Sequence, residues 1–357
     1  MIFYFLLLFV PLSLYLKYMT NVSPLWIFGT AIIGIIPLAD FVRKATEQLA
    51  IKAGPAIGGL LNVTFGNTAE VILALFVLTA GKTDVVKGQI TGSIIGNSLL
   101  GFGLAIIIGT WDRDKLTFKR ERAGRISSLL ILSVIALLLP AIFDYTERGI
   151  YAAPNVGALD ERLSLGVSIV LILLYIGNLF YTLFTHRDEF AINGQEQQAK
   201  WSWWVSVGVL TAATVFIALE SQIISAGLES TASKLGLSTF FLGVVVLAII
   251  GNAAEYVASI FYARKDDMDM VVNITVGSTI QVALLMAPLL VLISYFIGSP
   301  MNLVFVNPLE LIAVFGVAFG VNAIAEDGEV TWFEGLLLIG VYAILALAFF
   351  YATPPSS

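Results

Sequence analysis

The chain has 357 residues, 58% of them hydrophobic and only 12% charged, with a mean hydropathy of +0.92, a balance outside the range of soluble globular proteins. A formal charge of −6 says little, because membrane proteins concentrate charge in short loops, and no basic face for nucleic acid is visible. Zero cysteines exclude disulfides, thiolate metal sites and cysteine nucleophiles, and the single histidine, His186, excludes a histidine-rich metal centre.

Residues 1–16 contain no basic n-region and no small-residue cleavage site, so the chain is expected to open on a retained transmembrane helix rather than a signal peptide. Cutting the apolar runs at proline, glycine and charge clusters predicts an all-α polytopic membrane protein of about eleven transmembrane helices. They fall at residues 2–18, 24–44, 56–80, 86–110, 124–144, 163–185, 202–228, 238–263, 267–296, 306–325 and 330–352. The connections after even-numbered helices, with the adjoining helix ends, hold 13 lysines and arginines against 6 on the other side. The positive-inside rule then puts the N-terminus in the cytoplasm and the C-terminus outside.

The third and eighth of these helices each carry a polar pentad, Gly66-Asn67-Thr68-Ala69-Glu70 and Gly251-Asn252-Ala253-Ala254-Glu255. A carboxylate near the middle of a spanning helix costs roughly 2.5 to 3.5 kcal/mol on insertion scales, so it normally faces a cavity and serves an ion or proton path. Glu70 and Glu255 are 185 residues apart, and the same offset separates Gly92-Ser93 from Gly277-Ser278. A constant offset reads as internal duplication. The expected organisation is an extra N-terminal helix over residues 1–20, a five-helix repeat over 21–185, a cytoplasmic connecting loop over 186–201 and a second five-helix repeat over 202–357. An odd number of helices per half forces the halves into opposite orientations. In transporters built this way the binding site lies near the midplane, where the halves meet, and opens to each side in turn.

Within each pentad, asparagine and glutamate are three apart and share a helix face, and the leading glycine admits another helix or an unwound turn. Ser93, Asn97, Ser278 and Gln281 on the following helices lie at similar depth and serve either a cation or ordinary interhelical bonding. Together these groups offer hard oxygens and nothing soft, a set that suits Ca²⁺. Two carboxylates forced together in low dielectric should also raise the proton affinity of the empty site. Protons and Ca²⁺ would then compete for the same oxygens, which suffices for antiport if the site opens alternately.

Other polar residues have plainer readings. The Gly92-x3-Gly96 spacing reads as close packing, and Glu47 and Glu220 either feed protons or are interfacial. Asp266, Asp267 and Asp269 read as a solvated loop, and Glu326-Asp327-Gly328-Glu329 as a membrane-interface turn. Asp40, Asp144, Asp267 and Asp269 are expected near helix ends, against an intramembrane aspartyl hydrolase; no enzyme is expected.

The run from Gly58 to Glu70, Gly251-Asn-Ala-Ala-Glu255, Gly92-Ser93, Gly277-Ser-Thr-Ile-Gln281 and the run from Asp327 through Trp332-Phe-Glu-Gly335 resemble the cation/proton exchanger branch of the calcium/cation antiporter superfamily. The resemblance covers nearly the whole chain from the second helix onward. It implies an extra first helix followed by an inverted five-plus-five repeat. It also implies a secondary active transporter exchanging Ca²⁺ for H⁺ across the lipid bilayer of a prokaryotic cell, with no cofactor besides the transported ions. Glu70 and Glu255 would bind Ca²⁺ or protons exclusively, with Asn67, Asn252, Ser93, Ser278 and Gln281 around them and Glu47 on the proton route. Tyr256 stands where relatives often have histidine, and the connecting loop is short with few acids where eukaryotic relatives are strongly acidic. Ala69 and Ala254 stand where sodium-coupled relatives usually carry proline, which favours protons over Na⁺. Na⁺-coupled exchange and a passive divalent cation channel are the alternatives, and the oligomeric state is open.

Overall fold

The computed structural model describes residues 2–150, 155–182, 199–305 and 307–352. The helices are α1 (Leu6–Met19), α2 (Pro24–Ala53), α3 (Pro55–Phe65), α4 (Thr68–Thr79), α5 (Thr83–Gly109), α6 (Arg120–Arg148) and α7 (Val156–Phe180). After the connection come α8 (Trp203–Leu235), α9 (Thr239–Gly251), α10 (Ala253–Arg264), α11 (Met268–Phe296), α12 (Pro308–Asp327) and α13 (Trp332–Tyr351). Each of the eleven expected stretches contains helix. Among the described residues eight helices are long and apolar enough to cross a bilayer, and the pair α9 and α10, bent by 50°, makes a ninth span. Helices α1 and α4 are shorter apolar helices. Most of the connecting loop, with His186, lies outside the described residues.

Two helices run past their expected ends for local reasons. Helix α2 continues to Ala53 because Asp40, Arg43, Lys44 and Glu47 neutralise one another at i,i+3 and i,i+4 spacing, and it stops at Gly54, whose φ is 83°. Asp40 is therefore not near a helix end, as the sequence suggested, but mid-helix and 4% exposed. Helix α8 continues to Leu235 and ends at left-handed Gly236. Helices α12 and α13 each begin with a complete capping box, Asn307 with Glu310 and Thr331 with Glu334.

The chain forms two compact units, one of Met1–Ala80 with Leu173–Gly236, the other of Gly81–Ile172 with Leu237–Ser357. Each draws on both halves of the sequence, so these units and the expected repeats are different divisions of the chain. In the first unit, α1, α4 and α8 pack around α2. In the second, the start of α5 (Thr83–Ile95) lies along Leu242–Leu247 of α9, and its end (Phe102–Gly109) lies along α10. Helix α5 thus runs parallel to α9 and α10. Helix α11 follows α10 after residues 265–267 and packs back along it. Counterparts α5 and α11 consequently run in opposite directions, the mark of an inverted repeat. A two-stranded antiparallel ladder, Leu116–Thr117 (β1) with Glu329–Val330 (β2), joins the loops after α5 and α12.

The offset of 185 recurs in the elements themselves. Thr68–Thr79 maps onto Ala253–Arg264 residue for residue, and the π-helical turn Gly96–Gly101 inside α5 overlaps the shorter one at Val282–Met286 inside α11.

Close backbone approach sets the α5–α9 crossing. A Cβ on Gly92 would lie 1.9 Å from the Val244 carbonyl oxygen, and one on Gly243 2.5 Å from that of Val85. The duplicated glycine, Gly277, meets only Asn273 Oδ1 at 3.6 Å. Gly92→Ala should therefore destabilise by about 1–3 kcal/mol through overpacking. Gly277→Ala should leave the thermal midpoint in detergent unchanged or slightly raised, so equal losses in the two variants would contradict this packing.

Candidate cation site

Both pentads break their helix at the asparagine. Asn67 has φ −101° and ψ 23°, and Asn252 has φ −96° and ψ 7°, so the asparagine leaves helical geometry in the same way twice, together with Gly66 in the first copy and alone in the second. The glutamate then falls in the first turn of the new helix, Glu70 in α4 and Glu255 in α10. Glu70 is 0% and Glu255 8% exposed. A helix N-terminus carries partial positive charge, which offsets some of the cost of a carboxylate held there.

Neither asparagine caps its helix with its side chain, so the amides are available for other contacts. Asn252 Nδ2 donates to Ser93 Oγ at 3.0 Å and to the Ala248 carbonyl at 2.8 Å, while its Oδ1 accepts from Asn97 Nδ2 at 2.7 Å. Ser93, Asn97 and Asn252 thus form one fully buried network between α5 and the α9–α10 break. Asn97 belongs to the π-helical turn of α5, and its Oδ1 has no hydrogen-bond partner among the described residues. Both roles left open for Asn97 are in view: one end of its amide bonds helix to helix, the other is an uncommitted buried acceptor. Asn67 is buried likewise, its Nδ2 without a partner among the described residues.

Ser278 is buried on α11, and Gln281 is half-buried just before the second π-helical turn. Among the described residues neither hydrogen-bonds to the Asn252 network; α11 is tied to α5 instead by Ser98 Oγ and Thr279 Oγ1, 2.9 Å apart. Asn67 and Glu70 belong to the first compact unit, and Ser93, Asn252, Glu255, Ser278 and Gln281 to the second. No three acidic, histidine or cysteine side chains cluster among the described residues. Each break carries an asparagine and a glutamate three residues on, which offer only hard oxygen donors.

Tyr256 has a packing role. A Cβ at Gly96 would lie 2.5 Å from its hydroxyl, and one at Gly101 2.6 Å from its Cδ1. The ring therefore occupies the space those two glycines leave beside the π-helical turn.

The sodium/calcium exchanger protein family matches this sequence over residues 23–184 and 205–351. The chain belongs to that family. It is 40% identical over 366 residues to a Ca²⁺/H⁺ antiporter of Aphanothece halophytica, covering 98% of this chain and 96% of the relative. It is 41% identical over 330 residues to the Ca²⁺/H⁺ antiporter ChaA of Bacillus subtilis (strain 168), covering 91% and 92%. The solved structure of native YfkE superposes with a TM-score of 0.85 at 37% identity, covering 98% of this chain and all of that one. The architecture is that of a transporter, not an enzyme.

The remaining acidic residues of this exchanger-family chain sort by partner. Glu47 accepts from Arg43 within the ladder on α2, and its side chain is partly exposed. Asp266 pairs with Arg113 at 3.3 Å, Asp267 caps α11 by accepting from the Met270 amide, and Asp269 accepts from the Lys119 amide, so these acids order a turn that is open to solvent, as the sequence suggested. In the turn after α12, Glu329 pairs with Lys115 at 2.7 Å. Glu220 is not interfacial: α8 extends beyond its expected end, placing this residue mid-helix and wholly buried.

Asn252→Ala would strip the buried Asn97 amide of its acceptor. An orphaned buried group costs about 1–3 kcal/mol, so the variant should unfold at lower temperature than wild type in cation-free detergent. An unchanged midpoint would show that the network carries no stability.

Proposed function

We propose that the chain is a secondary active transporter that exchanges Ca²⁺ for H⁺ by alternating access, with Glu70 and Glu255 occupied by Ca²⁺ or by protons but not both. The observation that carries this reading is the twice-built helix break, each with a buried carboxylate in the first turn after an asparagine. The Ca²⁺/H⁺ antiporters to which the chain is similar along almost its full length support the choice of ions. Asn67, Asn252, Ser93, Ser278 and Gln281 supply neutral oxygens for the cation, and Glu47 lies on the route by which protons arrive. The N-terminus faces the cytoplasm, as the loop charges indicate.

The physical basis is competition. A carboxylate in a low-dielectric site must be neutralised, and either a proton or a divalent cation does so. Lowering the pH should therefore weaken Ca²⁺ activation. For each proton displaced, apparent affinity changes by up to about tenfold per pH unit while that group titrates. Affinity should rise with pH and level off once both groups are ionised.

The test is uptake of radiolabelled Ca²⁺ into proteoliposomes under an imposed pH gradient without Na⁺. Wild type should concentrate Ca²⁺, and Glu70→Gln and Glu255→Gln should each fall to the protein-free background. Uptake that requires Na⁺ would favour sodium-coupled exchange. Dissipation of a Ca²⁺ gradient, with no ability to build one, would indicate a channel.

A further inference from the structure

Glu220 lies 17 residues after the first residue of α8, a 33-residue helix, and is 0% exposed. Its Oε1 stands 2.6 Å from Ser13 Oγ of α1, while its Oε2 has no hydrogen-bond partner among the described residues. Ser13, equally buried, is also 2.8 Å from the carbonyl oxygen of Val10. A serine hydroxyl has one hydrogen to give. The Val10 carbonyl also lies within the helical bonding of α1, so Ser13 is free to turn its hydrogen to Glu220; even then an ionised Glu220 would have one donor on Oε1 and none on its buried Oε2 among the described residues. If Glu220 carries a proton, no charged oxygen is left bare: its hydroxyl donates to Ser13 Oγ, and Ser13 donates to Val10.

The ionisable groups on the surrounding helices do not alter this balance. Lys17 on α1 is exposed, Arg43 and Lys44 on α2 pair with Asp40 and Glu47 of the same helix, and Glu70 on α4 is itself acidic. Among the described residues no cation pairs with Glu220. An uncompensated carboxylate at membrane depth takes up a proton or a cation partner.

We propose that Glu220 is a permanently loaded proton site, distinct from the exchange carboxylates, whose carboxyl group fastens the extra first helix to α8 through Ser13 and Val10. Gly34 of α2 receives Val10 in the same contact: a Cβ there would lie 3.2 Å from Val10 Cγ2. The first helix is thus keyed into its unit by a small-residue notch and a neutral polar relay. Glu220 is a positioning residue, and its proton stays in place while Ca²⁺ and H⁺ exchange elsewhere.

The test is infrared spectroscopy of the intact protein with ¹³C-labelled glutamate, at neutral pH, with and without saturating Ca²⁺. Wild type should show a carbonyl band of a protonated carboxyl that shifts on labelling and is unaffected by Ca²⁺. Glu220→Gln should lose that band completely, and Ser13→Ala should move it to higher frequency, as for a weaker hydrogen bond. Absence of a labelled band in wild type, its loss on adding Ca²⁺, or its survival in Glu220→Gln would each overturn the proposal. The wild-type arm needs no variant, so a folding defect cannot hide the answer. Because the expected band is insensitive to Ca²⁺, failure here is separable from failure of the exchange reading.

Discussion

The structure depends on interrupting a helix where interruption is costly. Inside a bilayer every backbone polar group must find a partner within the protein, so non-helical backbone survives only when buried in protein or lining a wet cavity. This chain breaks helical geometry at Asn67 and again at Asn252, and each break turns a mid-run glutamate into a residue of a helix N-terminal turn. The local field of the new helix end then favours the charged form that the surrounding apolar medium disfavours. Such a balance is what a reversible cation or proton site requires, since neither state of the carboxylate is overwhelmingly preferred.

The packing around the second break keeps that geometry rigid. Gly92 and Gly243 let α5 and α9 approach to backbone contact, and Asn252 then reaches Ser93 and Asn97 across the crossing. The π-helical turn beginning at Gly96 carries Asn97 into this network, and Tyr256 packs against the same turn through Gly96 and Gly101. Such turns, rare in ordinary helices, often accompany functional sites. Here the turn recurs at the duplicated position in α11, although Val282 stands there in place of Asn97, so the irregularity is shared by the repeats while the amide is not.

Much of this was legible in the sequence because lipid imposes a blunt rule on polarity. The pentads stood out as polar interruptions, and the 185-residue offset that identified the duplication reappears in the bounds of α4 and α10. The ends of α2 and α8 were not legible, because charged residues within a helix look the same in sequence as charged residues that end one. Asp40 shows why: paired with Arg43 and Lys44, it is no obstacle to a helix, and pairing is a property of the fold. Glu220 was misplaced for the same reason, since its depth depends on where α8 stops. The bonding of Asn97 was undecidable in advance, because a buried amide gains its role only from the helix laid across it.

The central claim is that cation and proton contend for the same two carboxylates, and proton release on Ca²⁺ binding tests it most directly. In weakly buffered detergent solution with a pH indicator, adding Ca²⁺ to the purified protein should liberate protons at mildly acidic pH. The yield per Ca²⁺ bound should fall toward zero as the pH rises and should drop in Glu70→Gln and Glu255→Gln. Stoichiometric Ca²⁺ binding with no proton release at any pH, or release undiminished in both variants, would contradict the account.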